Sequence, residues 1–210
     1  MNTHIYTLLG VCLSFTPLLF SSQIIDQATL NQETLTLRLH EEGDTITTPI
    51  VFVAEGYTAG EENDFIAKVD YYISGLTLQS PYSELLDHYD FYSIFVASVE
   101  SGIDYPDKTS PVAKDTFYDG GALGSSANGL LYANMNLVSD SLFLFAETSS
   151  FNAYTVLILN SNSGRANAQS GEHCRVLSSG GVHILVHELG HVIGKVADEY
   201  VETGKSPGGG

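Results

Sequence analysis

Three residues stand out for the chemistry they could do: His187, Glu188 and His191, which form the pattern HExxH. On a helix, side chains four apart share a face, so both imidazoles can reach one metal ion. Neutral imidazole is a good ligand for zinc. Glu188 lies beside the pair on the helix surface. A carboxylate there can take a proton from a water polarised by the metal and pass it on, the core of metal-assisted hydrolysis. The competing reading is a buried helix whose histidines are only hydrogen-bonded. The coincidence of three exacting residue types argues against it.

Two histidines do not complete such a site, because a catalytic zinc usually has three protein ligands and a water. His183 shares the face of the pair, but eight residues of helix put it about 12 Å from His191. It reads as a residue behind the ligands or on the cleft wall, or equally as a core histidine. The third ligand must come from beyond Gly194, and Asp198 and Glu199 are the candidates. A continuous helix would carry Asp198 about 16 Å along the axis from His187. The chain must therefore break near Gly194, where glycine's tolerance of the left-handed conformation would end the helix.

The helix itself is predicted to be buried, since Ile184, Leu185, Val186, Leu189, Val192 and Ile193 cover most of its circumference. Gly180 and Gly181 lead into it. Upstream, Pro49 to Ala54 is a continuous apolar run, the pattern of a strand buried on both faces. Glu61 to Thr77 reads as a helix with an apolar stripe of Phe65, Val69, Tyr72, Ile73 and Leu76. A short helix over Tyr82 to Asp87 and a strand over Phe91 to Ser98 follow. The order strand, helix, strand predicts an α/β core with a parallel component. Glu100 to Asn128 is rich in proline and glycine and is read as loop, either a binding surface or a mobile insertion. Asn134 to Ala146 is predicted helical and Thr155 to Leu159 a third apolar strand. SNSGRANAQSGE (161–172) is read as a turn or loop, and Cys174 to Leu177 as a short edge strand. Before all of these, the alternation of Leu30, Leu35, Leu37 and Leu39 suggests a strand or hairpin within Ala28 to Leu39.

The 210 residues suffice for one domain with a real core. Eight Lys and Arg stand against 25 Asp and Glu, a formal charge of −17, which repels nucleic acid and anionic membranes. Residues 1–22 read as a secretory signal. Ile5 to Phe20 is an apolar run of signal length and Ser21 and Ser22 offer small residues for cleavage. No membrane association is expected after its removal. The mature chain would keep one cysteine, Cys174, with no intrachain disulfide. Cys174 is expected to be buried packing rather than a nucleophile paired with His173.

VFVAEGYT (51–58), FYSIFVASVESGID (91–104), KDTFYD (114–119) and HELGHVIGKVADEY (187–200) together resemble the immunoglobulin A peptidase family of zinc metallopeptidases, family M64, grouped with the metzincins. The resemblance spans about Pro49 to Tyr200. It implies a secreted zinc endopeptidase acting on a protein or glycoprotein, with immunoglobulin suggested by the family's name. It implies Zn2+ held by His187 and His191, with Glu188 as general base. In the metzincin pattern HExxHxxGxxH, Gly194 matches and the last histidine falls at Ala197. Asp198, one position on, is the natural substitute, with Glu199 as the alternative.

The expected architecture is thus an α/β, metzincin-like zinc peptidase domain, a mixed sheet around a central buried active-site helix. Residues 1–22 would be the signal, 23–48 a short β-rich segment and 49–210 the catalytic domain. Metzincin-like enzymes place a methionine-containing turn after the zinc helix. Met1 and Met135 both precede that helix here, so a missing C-terminal subdomain is expected. Two other classes remain open: a zinc-binding but inactive fragment, and a secreted module whose loops near residues 100–130 bind a glycoprotein.

Overall fold

Ile50 to Ala54 lie at the centre of the molecule, each no more than 1% exposed. A strand with no outward polar face must be covered on both sides, and the rest of the chain does this. The computed structural model describes residues 4–7, 36–41, 48–124, 129–146 and 153–198. In chain order the elements are β1 (His4–Thr7), β2 (Thr36–Glu41), β3 (Thr48–Glu55), α1 (Glu62–Leu76), α2 (Tyr82–Leu85) and β4 (Tyr89–Phe95). There follow β5 (Gly121–Leu123), β6 (Leu130–Tyr132), α3 (Met135–Ala146), β7 (Tyr154–Leu159), β8 (Asn167–Gln169), β9 (His173–Leu177) and α4 (Val182–Val192).

Seven strands form one mixed sheet in the order β1-β2-β4-β3-β7-β9-β8. The pairs β4–β3, β3–β7 and β7–β9 are parallel. The outer pairs β1–β2, β2–β4 and β8–β9 are antiparallel. On one face Ile50, Phe52 and Ala54 meet Phe65, Val69, Tyr72 and Leu76 of α1 and Leu185, Leu189 and Val192 of α4. On the other face Val51, Val53, Leu157 and Leu159 meet Tyr118, Leu131 and Val138. The sheet is thus the middle of three layers, with α1 and α4 together on one side.

The predicted strands at 49–54, 91–98 and 155–159 and helices at 61–77, 82–87 and 134–146 all form, with ends shifted by a few residues. Two readings need correction. Cys174 to Leu177 is not an edge strand: β9 is flanked by β7 on one side and β8 on the other. The edge is β8, which lies inside the segment read as loop. The stretch 100–124 is also more than a loop. The buried Glu55 carboxylate accepts hydrogen bonds from Thr116 Oγ1 (2.6 Å) and from the backbone N–H groups of Tyr118 (3.0 Å) and Gly120 (2.6 Å). It ties the loop to the end of β3, and Ile103 and Tyr118 enter the core. The loop then leads into a separate two-stranded ladder of β5 and β6.

β2 supplies a strand to the main sheet from within the 23–48 segment, and β1 falls inside the expected signal. The remainder of both segments, residues 125–128, and the tail from Glu199 to Gly210 lie outside the described residues. Among the described residues, no helix is long and apolar enough to cross a membrane.

Candidate metal centre

α4 is set by its neighbours before any ion is considered. The Lys68 ammonium donates to Gly180 O (2.5 Å) and the Tyr72 hydroxyl to Leu177 O (3.0 Å), so α1 fixes the turn that feeds the helix. Gly75 of α1 lets the two helices touch, because a Cβ there would fall 2.2 Å from Val182 Cγ2. At the far end the Gly171 N–H, in the β8–β9 turn, donates to Val192 O (3.0 Å) and satisfies a last-turn carbonyl.

The helix is not buried all round, contrary to the expectation from its composition. Leu185, Glu188, Leu189 and Val192 form the buried stripe. Ile184, Val186 and Ile193 are half-covered on its flanks, and His183 and His187 are exposed. The helix lies across one face of the sheet, so only one side of it can be covered by that sheet. His183 is therefore not a core histidine, and it stands more than a turn before the pair.

The chain breaks where the ligand argument requires, but by a different residue. α4 ends at Val192, and the left-handed residue is Lys195 (φ 51°). Gly194 serves close approach instead: a Cβ on it would lie 2.8 Å from Gly190 O. The Val196 N–H donates to that same carbonyl (3.3 Å). The reversal brings Asp198 back to the helix. One Asp198 oxygen is 3.2 Å from His187 Nε2 and 3.2 Å from His191 Nε2, and the two Nε2 atoms are 3.2 Å apart.

That triangle fits a metal ion. Ligand atoms about 2.0–2.1 Å from a tetrahedral zinc are roughly 3.3 Å from one another, so the three atoms match one face of such a site in size. The donor chemistry agrees. His191 Nδ1 lies 2.5 Å from Val196 O, a contact that only an N–H can make favourably. Nδ1 therefore carries a proton, and in the neutral ring that leaves Nε2 with a lone pair toward His187 and Asp198. Two imidazole nitrogens and a carboxylate converging on one point make a donor set that could hold a cation. Among the described residues, His187, His191 and Asp198 are the one group of three such side chains placed to hold a metal. Glu199 lies outside the described residues.

Glu188, next to the first histidine, is buried. Burial raises its pKa above the usual carboxylate range. The His187 and His191 imidazoles and Arg165 pull it down, and Asp198 pushes it up. Cys174 lies beneath, fully buried, with its thiol pKa also raised by burial. That leaves it as packing, as expected, since an unionised buried thiol is a poor nucleophile.

Two features escaped the sequence reading. Arg165 and β8 lie in a segment dismissed as a turn, although RANAQ alternates polar and small residues with the period of a strand. Ala166 and Ala168 pack on the core beneath α4. Glu55 went unassigned, although an acid closing an apolar run is the signal of a buried carboxylate.

Fold and site together define an α/β domain with a candidate metal centre seated on one helix and the turn that follows it. The family model for IgA peptidase M64 matches residues 37–207, and the chain belongs to that family. It is accordingly a peptidase, a hydrolase whose substrate is a protein. No curated protein matches the chain.

Proposed function

We propose that the protein is a secreted, zinc-dependent endopeptidase, with His187, His191 and Asp198 as the metal ligands and Glu188 as general base. One observation carries the reading: three lone-pair donors from two helical turns and a reversed segment meet within hydrogen-bonding distance of one another. Held by these three residues, zinc would supply a Lewis acid for the peptide carbonyl and would activate a water at neutral pH. The residues of the chain do the rest. Val196 O holds the His191 tautomer, leaving Nε2 for the ion. Glu188 accepts the proton of the attacking water and delivers it to the leaving amine. Export rests on the leader read at residues 1–22.

The half-open setting of His187, whose side chain is 48% exposed, favours a second reading, a zinc-binding protein without hydrolytic activity. Glu188→Ala separates the two. The proposal expects wild-type protein to cleave an unfolded polypeptide and the variant to lose at least about a hundredfold in rate, the usual size of general-base catalysis, while keeping its zinc. An unchanged rate in the purified variant removes Glu188 from the mechanism. No cleavage by zinc-loaded wild type leaves the binding protein.

A further inference from the structure

β9 carries two basic side chains on the sheet face that looks away from α4. Cys174 and Val176 pack on the α4 side. The alternate positions, His173 and Arg175, point the other way, as Leu177 does. His173 is 5% exposed. Its Nε2 atom and the Nε atom of Arg175 are both closed off from solvent, and neither has a hydrogen-bond partner. Folded proteins pair nearly all such atoms, so two on one face of one strand need an explanation.

The guanidinium is held in place. Arg175 Nη1 donates to Asn167 Oδ1 (3.0 Å), directly across on β8, and Asn167 Nδ2 donates to Leu131 O (2.8 Å) on β6. Beside it, Thr155 of β7 and Gln169 of β8 flank His173. The charge of Arg175, however, is unanswered. The chain has 25 acidic residues against eight basic ones, yet among the described residues no carboxylate is paired with Arg175. Glu172 Oε2 stands 3.8 Å from His173 Nδ1, the other ring nitrogen, which is too far for a hydrogen bond. Burial lowers the pKa of Arg175, as it does for a cation without a counter-charge. A buried water could satisfy the two nitrogens but would leave that charge uncompensated.

We propose that His173 and Arg175 hold a small anion the size of chloride, in a site on the sheet face opposite the candidate metal centre. Two residues apart on a strand, their Cα atoms are about 6.6 Å from each other, so one ion between the side chains accepts a hydrogen bond from each. Both nitrogens are enclosed, which selects an ion of this size over a substrate-sized acid. The anion ties β9 to β8 through Arg175 and Asn167, and these are the strands on which α4 rests. The site stands whether or not the protein is a peptidase.

Two measurements on the full chain in metal-free buffer test it. Crystals soaked in bromide should give an anomalous peak within hydrogen-bonding reach of His173 Nε2 and Arg175 Nε. In solution, the difference in melting temperature between wild type and Arg175→Gln should widen by about 2–4 °C when chloride replaces gluconate at equal ionic strength. General salt effects act on both proteins and cancel in that difference. His173→Leu should widen it in the same sense. Lys108→Gln, which removes a cation lying over the Tyr105 ring, should not. Bromide found only elsewhere on the molecule, or a water at the two nitrogens, overturns the site. A difference that does not change with the anion, or that changes equally for Lys108→Gln, overturns it as well. Should the Arg175 and His173 variants fail to fold, the bromide peak in wild type decides alone.

Discussion

Asp198 carries the largest single commitment at the scale of the residue. It completes the triangle only because Lys195 adopts a left-handed backbone and Gly194 passes close to Gly190 O. Asp198→Ala should therefore weaken zinc binding by at least about tenfold, the scale on which changes around a metal are felt. Glu199→Ala should leave it nearly unchanged. Competition with a chromogenic chelator reads both, and equal losses would refute the assignment. His173 makes a second, independent prediction. It is buried beside Arg175, and burial and that charge lower its pKa to about 4. A histidine held neutral in the fold contributes its full stability above the unfolded pKa of about 6.5. That contribution is lost as pH falls toward about 4, at up to roughly 1.4 kcal/mol per pH unit for one proton. Denaturant melts of His173→Leu between pH 7 and pH 4 should show a flatter acid limb than wild type. An identical limb would place the proton uptake elsewhere.

The decisive contact between elements is the approach of α1 to α4. Gly75 meets Val182 at the first turn of the helix that carries the candidate ligands His187 and His191, so a larger residue must push the helices apart. Gly75→Val should cost about 1–3 kcal/mol by overpacking and lower zinc affinity with it, because the start of α4 moves while its end stays tied to Gly171. Thermal unfolding and zinc titration on one sample check both effects. Loss of stability with zinc affinity intact would show that α4 tolerates the shift. The same elements show what could be read in advance. The run Ile50–Ala54 and the stripe Phe65–Leu76 announce themselves, because burial on two faces and on one face leave different periods. HExxH and the need for a break were equally plain. The edge position of β8 was hidden, since a three-residue strand of alanine and polar residues carries almost no hydrophobic signal. The open side of α4 was hidden for the opposite reason: an apolar circumference says that contacts are wanted, not which side the sheet can reach. The left-handed Lys195 was also beyond reach, because glycine is the expected choice one residue earlier.

The molecule as a whole is strongly acidic, with a formal charge of −17, and such a surface draws cations toward it. Its candidate centre joins two turns of one helix to the segment after it, so an ion there ties α4 to its own C-terminal extension. A ligand that binds only the folded state stabilises it by about 2.7 kcal/mol at a hundred times its dissociation constant. Zinc should accordingly raise the melting temperature, and removal by a chelator should reverse the rise. The most direct measurement is the zinc content of the purified chain by elemental analysis after dialysis against metal-free buffer, alongside His187→Ala/His191→Ala. The account predicts one zinc per wild-type chain and almost none in the double variant. A wild-type protein that stays zinc-free after zinc loading, or a double variant that keeps its zinc, would contradict it.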